Sequence, residues 1–138
     1  MNDAVPTLNP PDPATEPLPL CDARALEERG KAWGWDITEY GRPARAFALR
    51  FDGAVRAYVN RCVHVPAEMD WQPGEFLDSD KRYILCSIHG AAYEPEGGRC
   101  VGGPCGRGKL TAIRTEEKGG VVYWYPSRDI QPLAFDAP

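Results

Sequence analysis

Fourteen glycines and fourteen prolines punctuate these 138 residues, and they leave little room for a long helix. Proline removes a backbone donor and clashes inside a helix, while glycine in a helix interior costs conformational entropy. A chain this rich in both is built from short elements joined by turns. "RAFALRF" alternates, with Phe47, Leu49 and Phe51 on one face. Asp52 and Gly53 then give a type I′ hairpin signal, and "AVRAYVNRC" alternates again through Val55, Ala57 and Val59. "RYILCSI" and "VVYWYP" read as further strands, the second preceded by Gly119 and Gly120. A first strand is expected over residues 31–37, after "CDARALEERG", which is either a short helix or the run into that strand. The expected fold class is all-β, of short and mostly antiparallel strands.

Composition narrows the function. Hydrophobic residues make up 43% and charged residues 26%, ordinary for a soluble domain with one modest core. The formal charge is −4, and no Lys/Arg stripe could neutralise a run of phosphates, so a nucleic-acid partner is excluded. No apolar run approaches the roughly 18 residues that span a bilayer, so no membrane association is expected. The N-terminus has neither a basic start nor a continuous apolar segment, which points to a cytoplasmic protein. Residues 1–20 hold six prolines, three acids and no base, and read as a disordered tail ahead of one domain over 21–138.

The chain has five cysteines and only two histidines, and both histidines stand beside cysteines. "NRCVHVP" holds Cys62 and His64; "YILCSIHG" holds Cys86 and His89. Each pair falls where a strand gives way to a loop, so two loops at one end of a β scaffold can converge on one metal site. Thiolate and imidazole together suit zinc, iron and copper. Structural zinc sites usually pair like with like, cysteines from one segment and histidines from another. Here each loop supplies one sulfur and one nitrogen, the set that an asymmetric two-iron cluster needs. A zinc site, or two unrelated core pairs, are the alternatives.

"CVH" followed by "CSIHGAAYEPEGGRCVGGPC" resembles the signature of Rieske [2Fe-2S] proteins, and residues 21–126 are similar to that domain. The resemblance implies a Rieske-type fold of antiparallel sheets, with a small cluster-binding subdomain formed by loops over about residues 60–106. It implies one [2Fe-2S] cluster per chain, with Cys62 and Cys86 on the buried iron and His64 and His89 on the outer one. Gly90 would turn the chain tightly behind His89. Tyr93 matches an aromatic position that in some members is a tyrosine hydrogen-bonding a cysteine ligand. Gly102, Gly103 and Pro104 resemble the third loop, which covers the cluster.

The departures narrow the class. Ala67 and Ile88 stand where quinol-oxidising members carry a disulfide, and Ala91 stands where they carry a serine. With both histidines assigned to the cluster, the 2-His-1-carboxylate iron of the ring oxygenases cannot be built from this chain. What is implied is a stand-alone Rieske-type ferredoxin, a soluble one-electron carrier between a reductase donor and an oxygenase-type or other redox acceptor. It would have no catalytic residues of its own and would not be an enzyme by itself. The alternatives are a cluster-binding sensor or regulatory protein and, behind it, a zinc-stabilised binding module. Arg61, Arg99, Arg107 and Lys109, and the acid-rich stretch from Glu68 to Asp80, flank the cluster loops and are placed to steer docking. Cys100 and Cys105 are expected as free thiols in a reducing compartment, with a small local disulfide as the alternative, Cys21 as core filler, and Trp33, Trp35, Trp71 and Trp124 as packing residues.

Overall fold

The computed structural model describes residues 16–63 and 67–133. The first strand, β1 (Leu18–Asp22), starts inside the segment read as a tail; residues 1–15 of that segment lie outside the described residues. Pro19 is compatible with β1 because the strand lies at a sheet edge, with a register shift between Pro19 and Cys21. "ARA" after it forms one short 3-10 turn (Ala23–Ala25). Then come β2 (Trp33–Glu39), β3 (Arg42–Phe51) and β4 (Ala54–Val59). Three very short strands follow, β5 (Ile84–Leu85), β6 (Ala92–Tyr93) and β7 (Cys100–Gly102). The chain ends with β8 (Ala112–Ile113), β9 (Thr115–Lys118), β10 (Val121–Trp124) and β11 (Ile130–Pro132).

The strands make three antiparallel sheets, ordered β1-β10-β9, β11-β2-β3-β4-β8 and β5-β6-β7. The all-β class expected from the sequence is what the chain adopts. β2 begins and ends two residues later than expected, and the strand read through "RYILCSI" is confined to Ile84 and Leu85. No helix of the described residues is long and apolar enough to cross a membrane.

The β3–β4 hairpin turns at Asp52 and Gly53, with φ of 53° and 81°, as the Asp-Gly pair requires of a type I′ turn. Glu28 holds this turn from a distance: its carboxylate accepts the N–H of Asp52 at 2.5 Å and of Gly53 at 2.8 Å. β3 is buried on both faces from Ala46 to Leu49, more than one-sided alternation implies. Phe47, Leu49 and Phe51 enter one core with Tyr58, Cys62, Met69, Phe76, Ile84, Cys86 and Tyr93. Ala46 and Ala48 enter a second core with Ile37, Ala57, Val59, Val122 and Trp124. In the first, Phe47 stacks on Phe76 with ring centroids 3.7 Å apart. Trp35 and Cys21 pack against the second, Trp35 with its ring 5.5 Å from that of Trp124. Trp33 and Trp71, expected to pack, are instead exposed.

Arg50 fastens the two larger sheets together. From β3 it donates to Leu26 O at 2.8 Å and Ala23 O at 3.0 Å, and forks onto the Glu117 carboxylate of β9 at 2.9 and 3.1 Å. A fork to a carboxylate fixes geometry as well as charge, and the side chain is only 16% exposed. Arg50→Ala removes five hydrogen bonds at once, a longer one to Gly53 O included, and should cost about 2 to 3 kcal/mol of stability, read from chemical denaturation.

Candidate metal centre

The small sheet exists to carry two of the three loops that meet here. Between β5 and β6, Cys86 N–H donates to Ala91 O at 2.8 Å and Gly90 N–H to Cys86 O at 3.0 Å. These bonds close the loop on itself and place His89 at its exposed tip, while Cys86 is fully buried. Gly90 completes the turn with φ of 78°, as expected from its place behind the histidine. The other ligand loop leaves β4: Cys62 is 2% exposed, and its N–H donates to Ala67 O at 3.0 Å. His64 lies outside the described residues.

The structure therefore places Cys62 and Cys86 together inside one core, with their side chains within hydrogen-bonding reach of each other. Burial pushes the Cys86 thiol up, the N–H of Ile88 pulls it down, the neighbouring Cys62 pushes it up again, and the N–H of His89 pulls it down; the net shift is upward. Two buried thiols side by side do not ionise readily on their own, and a bound cation is what turns such a pair into thiolates. The backbone donors aimed at Cys86 are those a cluster sulfur would use. The paired sulfurs would suit an iron–sulfur group, with Cys62 and Cys86 holding it; among the described residues no third metal-ligating side chain is gathered with them.

Tyr93 is wholly buried beside Cys62. Its hydroxyl oxygen accepts the N–H of Val63 at 3.0 Å and lies 3.5 Å from Cys62 Sγ, so the phenol proton is free to point at the sulfur. Burial first, then the hydrogen bond with Cys62, hold the phenol above its usual range. The third loop follows β7. A Cβ on Gly103 would stand 2.6 Å from Gly90 O, so only glycine lets this loop lie against the histidine loop. Gly102 is in extended backbone with open space around it, and Pro104 is exposed.

Cys100 and Cys105 form a disulfide, contrary to the expectation of free thiols. β7 and the 3-10 turn after it (Gly103–Cys105) bring their Cα atoms to 5.8 Å, within bridging range. The bridge closes a ring around Val101, Gly102, Gly103 and Pro104 and joins Cys105 to the core that holds Cys62 and Cys86. Of the basic residues, Arg61 pairs with the buried Glu39 and Arg99 with Glu94, while Arg107 and Lys109 are exposed. Val63 and Ile88 of the two cysteine loops and Val101 of β7 are exposed aliphatics, which the sequence reading did not single out. Their position next to Cys62, His89 and Gly102 in the sequence was the available signal.

The Rieske [2Fe-2S] domain model matches residues 17–126, most of the chain, and the protein belongs to that family, whose domain binds a [2Fe-2S] cluster. Among solved structures, the ferredoxin of carbazole 1,9a-dioxygenase from Nocardioides aromaticivorans IC177 is similar at a TM-score of 0.64 and 20% identity, over 80% of this chain and 98% of that one. A carbazole-bound oxygenase and ferredoxin complex of carbazole 1,9a-dioxygenase matches at 0.64 and 21% identity, over 80% of this chain and 28% of the matched one. Dicamba monooxygenase, with non-heme iron and dicamba bound, matches at 0.63 and 20% identity, over 83% of this chain and 33% of that one. This chain thus spans about a third or less of the longer chains and nearly all of the ferredoxin. These likenesses fix the fold. No curated protein sequence matches the chain.

Tyr93→Phe removes the hydroxyl beside Cys62 and keeps the ring. It should lower the reduction potential by roughly 20 to 60 mV, the worth of one neutral hydrogen bond per electron. Voltammetry of wild type and variant under identical buffer checks this.

Proposed function

We propose that the protein is a Rieske-type ferredoxin, a one-electron carrier that receives an electron from a reductase and delivers it to an oxygenase or another redox protein. The observation that carries this reading is the depth difference within one short loop: Cys86 is sealed in the core while His89, three residues on, stands at the surface. In this reading Cys62 and Cys86 hold the inner iron, and His64 and His89 the outer one. The cluster supplies a site for one electron. Everything else falls to the chain's own groups: the core keeps water from the sulfurs, the Tyr93 hydroxyl and the backbone amides of Ile88 and His89 direct positive dipoles at them, and His89 offers an exposed edge to a partner. The nearly full-length likeness to a ferredoxin supports the carrier role, and the solved complex of such a ferredoxin with its oxygenase supports an acceptor of that kind.

Docking follows from the same surface. Val63, Ile88 and Val101 give the cluster loops exposed aliphatic area that a partner can cover, excluding water between donor and acceptor. Arg107 and Lys109, on either side of Gly108, sit beside that area, because a Cβ on Gly108 would stand 2.3 Å from Val63 Cγ1. Arg107→Glu should reduce the association rate with an acidic redox partner about 3- to 10-fold at low salt, and less at high salt. An unchanged rate in stopped-flow measurements removes Arg107 from the docking surface.

Voltammetry across pH tests the ligand set. Neutral imidazole in place of thiolate gives a potential of about −150 to +300 mV, against about −400 mV for all-cysteine plant-type clusters. The potential should fall as pH rises, because proton release by imidazole ligands favours the oxidised state. His89→Cys adds a negative ligand, so the potential should drop toward the all-cysteine value and its pH dependence should weaken. A variant with unaltered potential and pH dependence would strike His89 from the ligands, and a colourless, iron-free wild type would end the carrier reading.

A further inference from the structure

Asn60 ends β4's run two residues before Cys62 and is only 8% exposed, although its side chain is an amide. Its backbone N–H donates to Arg45 O of β3 at 2.8 Å, which fixes it to the central sheet. Its side chain reaches across the base of the first ligand loop. Oδ1 accepts the N–H of Met69 at 2.8 Å, and Nδ2 donates to Asp70 Oδ1 at 3.0 Å. Asp70 uses its other oxygen to accept the N–H of Gly74 at 3.1 Å. Met69, itself wholly buried, passes the connection on: its carbonyl accepts the N–H of Ser87 at 3.0 Å. Ser87 is the neighbour of Cys86.

A continuous line of hydrogen bonds therefore runs from the residue two before Cys62 to the residue one after Cys86. A buried donor or acceptor left unpaired along this line is costly, so each member holds its neighbour in place. Asparagine meets both demands at this place, an acceptor for a backbone amide and a donor for a carboxylate on the same planar group. Aspartate meets only the first and would set a second carboxylate against Asp70.

We propose that Asn60, through Met69 and with Asp70, is a positioning residue that holds Cys62 in register with Cys86 for cluster binding. The proposal rests on the reading of those cysteines as ligands. Groups of this kind behind metal ligands typically govern affinity by about 10- to 100-fold.

The test uses the holoprotein as isolated and an exchange of the two side chains. Asn60→Asp removes one donor and opposes two carboxylates. Asn60→Asp combined with Asp70→Asn restores all three bonds with the amide on the other side, at unchanged net charge. Iron and sulfide per chain, the rate at which a chelator bleaches the visible spectrum, and the midpoint potential of the loaded fraction are measured for each. The single variant should bleach about tenfold faster than wild type and carry a shifted potential, and the double variant should return to within about twofold. A single variant that melts earlier but keeps the wild-type bleaching rate and potential would make Asn60 a stability residue and overturn the proposal. If the single variant fails to fold, the exchange decides: wild-type behaviour in the double variant supports the line, and continued loss overturns it. A wild type with the two-iron spectrum and an unaffected Asn60→Asp refutes the positioning role alone. A wild type without that spectrum refutes the ligand reading, and the positioning role with it.

Discussion

The burial of two cysteine side chains against each other, inside a core that also holds Phe47, Tyr58, Ile84 and Tyr93, is the contact around which this molecule is arranged. Sulfur is soft and weakly hydrated, so it tolerates an apolar interior as a thiol. Holding thiolates there is another matter, since uncompensated charge in a low dielectric is very costly. The surroundings offer partial compensation through the amides of Ile88 and His89 and the hydroxyl of Tyr93, and a bound metal would supply the remainder. The need to bring sulfurs from sequence positions 62 and 86 to one point explains why the small β5-β6-β7 sheet and its closed loops are set beside the larger β framework.

The meeting of Cys62 and Cys86 was legible because the pattern is written in residue types at fixed spacing, while His64 lies outside the described residues. Two cysteine–histidine pairs in a chain with two histidines leave few readings, and the glycine after His89 is explained by its left-handed backbone. The hairpin at Asp52 and Gly53 was legible for the same local reason. Three things were not. β1 was hidden because Pro19 continues the proline-rich run before it, and only its place at an edge beside β10 makes that proline tolerable. The disulfide was ranked behind free thiols because compartment chemistry argued for thiols, whereas bridging depends on a Cα separation that no sequence spacing reveals. Asn60 was missed because its partners, at positions 69 and 70, become neighbours only when the loop closes.

The three loops differ in how they are held. The histidine loop is closed by its own backbone bonds, the first ligand loop by a side chain spanning its base, and the third by a covalent ring. They meet through glycine: Gly103 against Gly90 and Gly108 against Val63. At such contacts backbone or aliphatic surface takes the place a side chain would occupy, so the spacing between loops is set by main-chain thickness and varies little with sequence.

β3 has a further consequence. Its odd-numbered residues Phe47 and Leu49 face the sulfurs, and its even-numbered Ala46 and Ala48 face the far sheet. One backbone is thus the party wall of two rooms, bulky on one side and nearly bare on the other. A larger side chain at Ala46 or Ala48 would push this backbone toward the core that holds Phe47, Phe76 and the two cysteines. Substitutions far from any ligand, on a face with no chemistry of its own, would thereby reach the redox site as displaced volume rather than as charge.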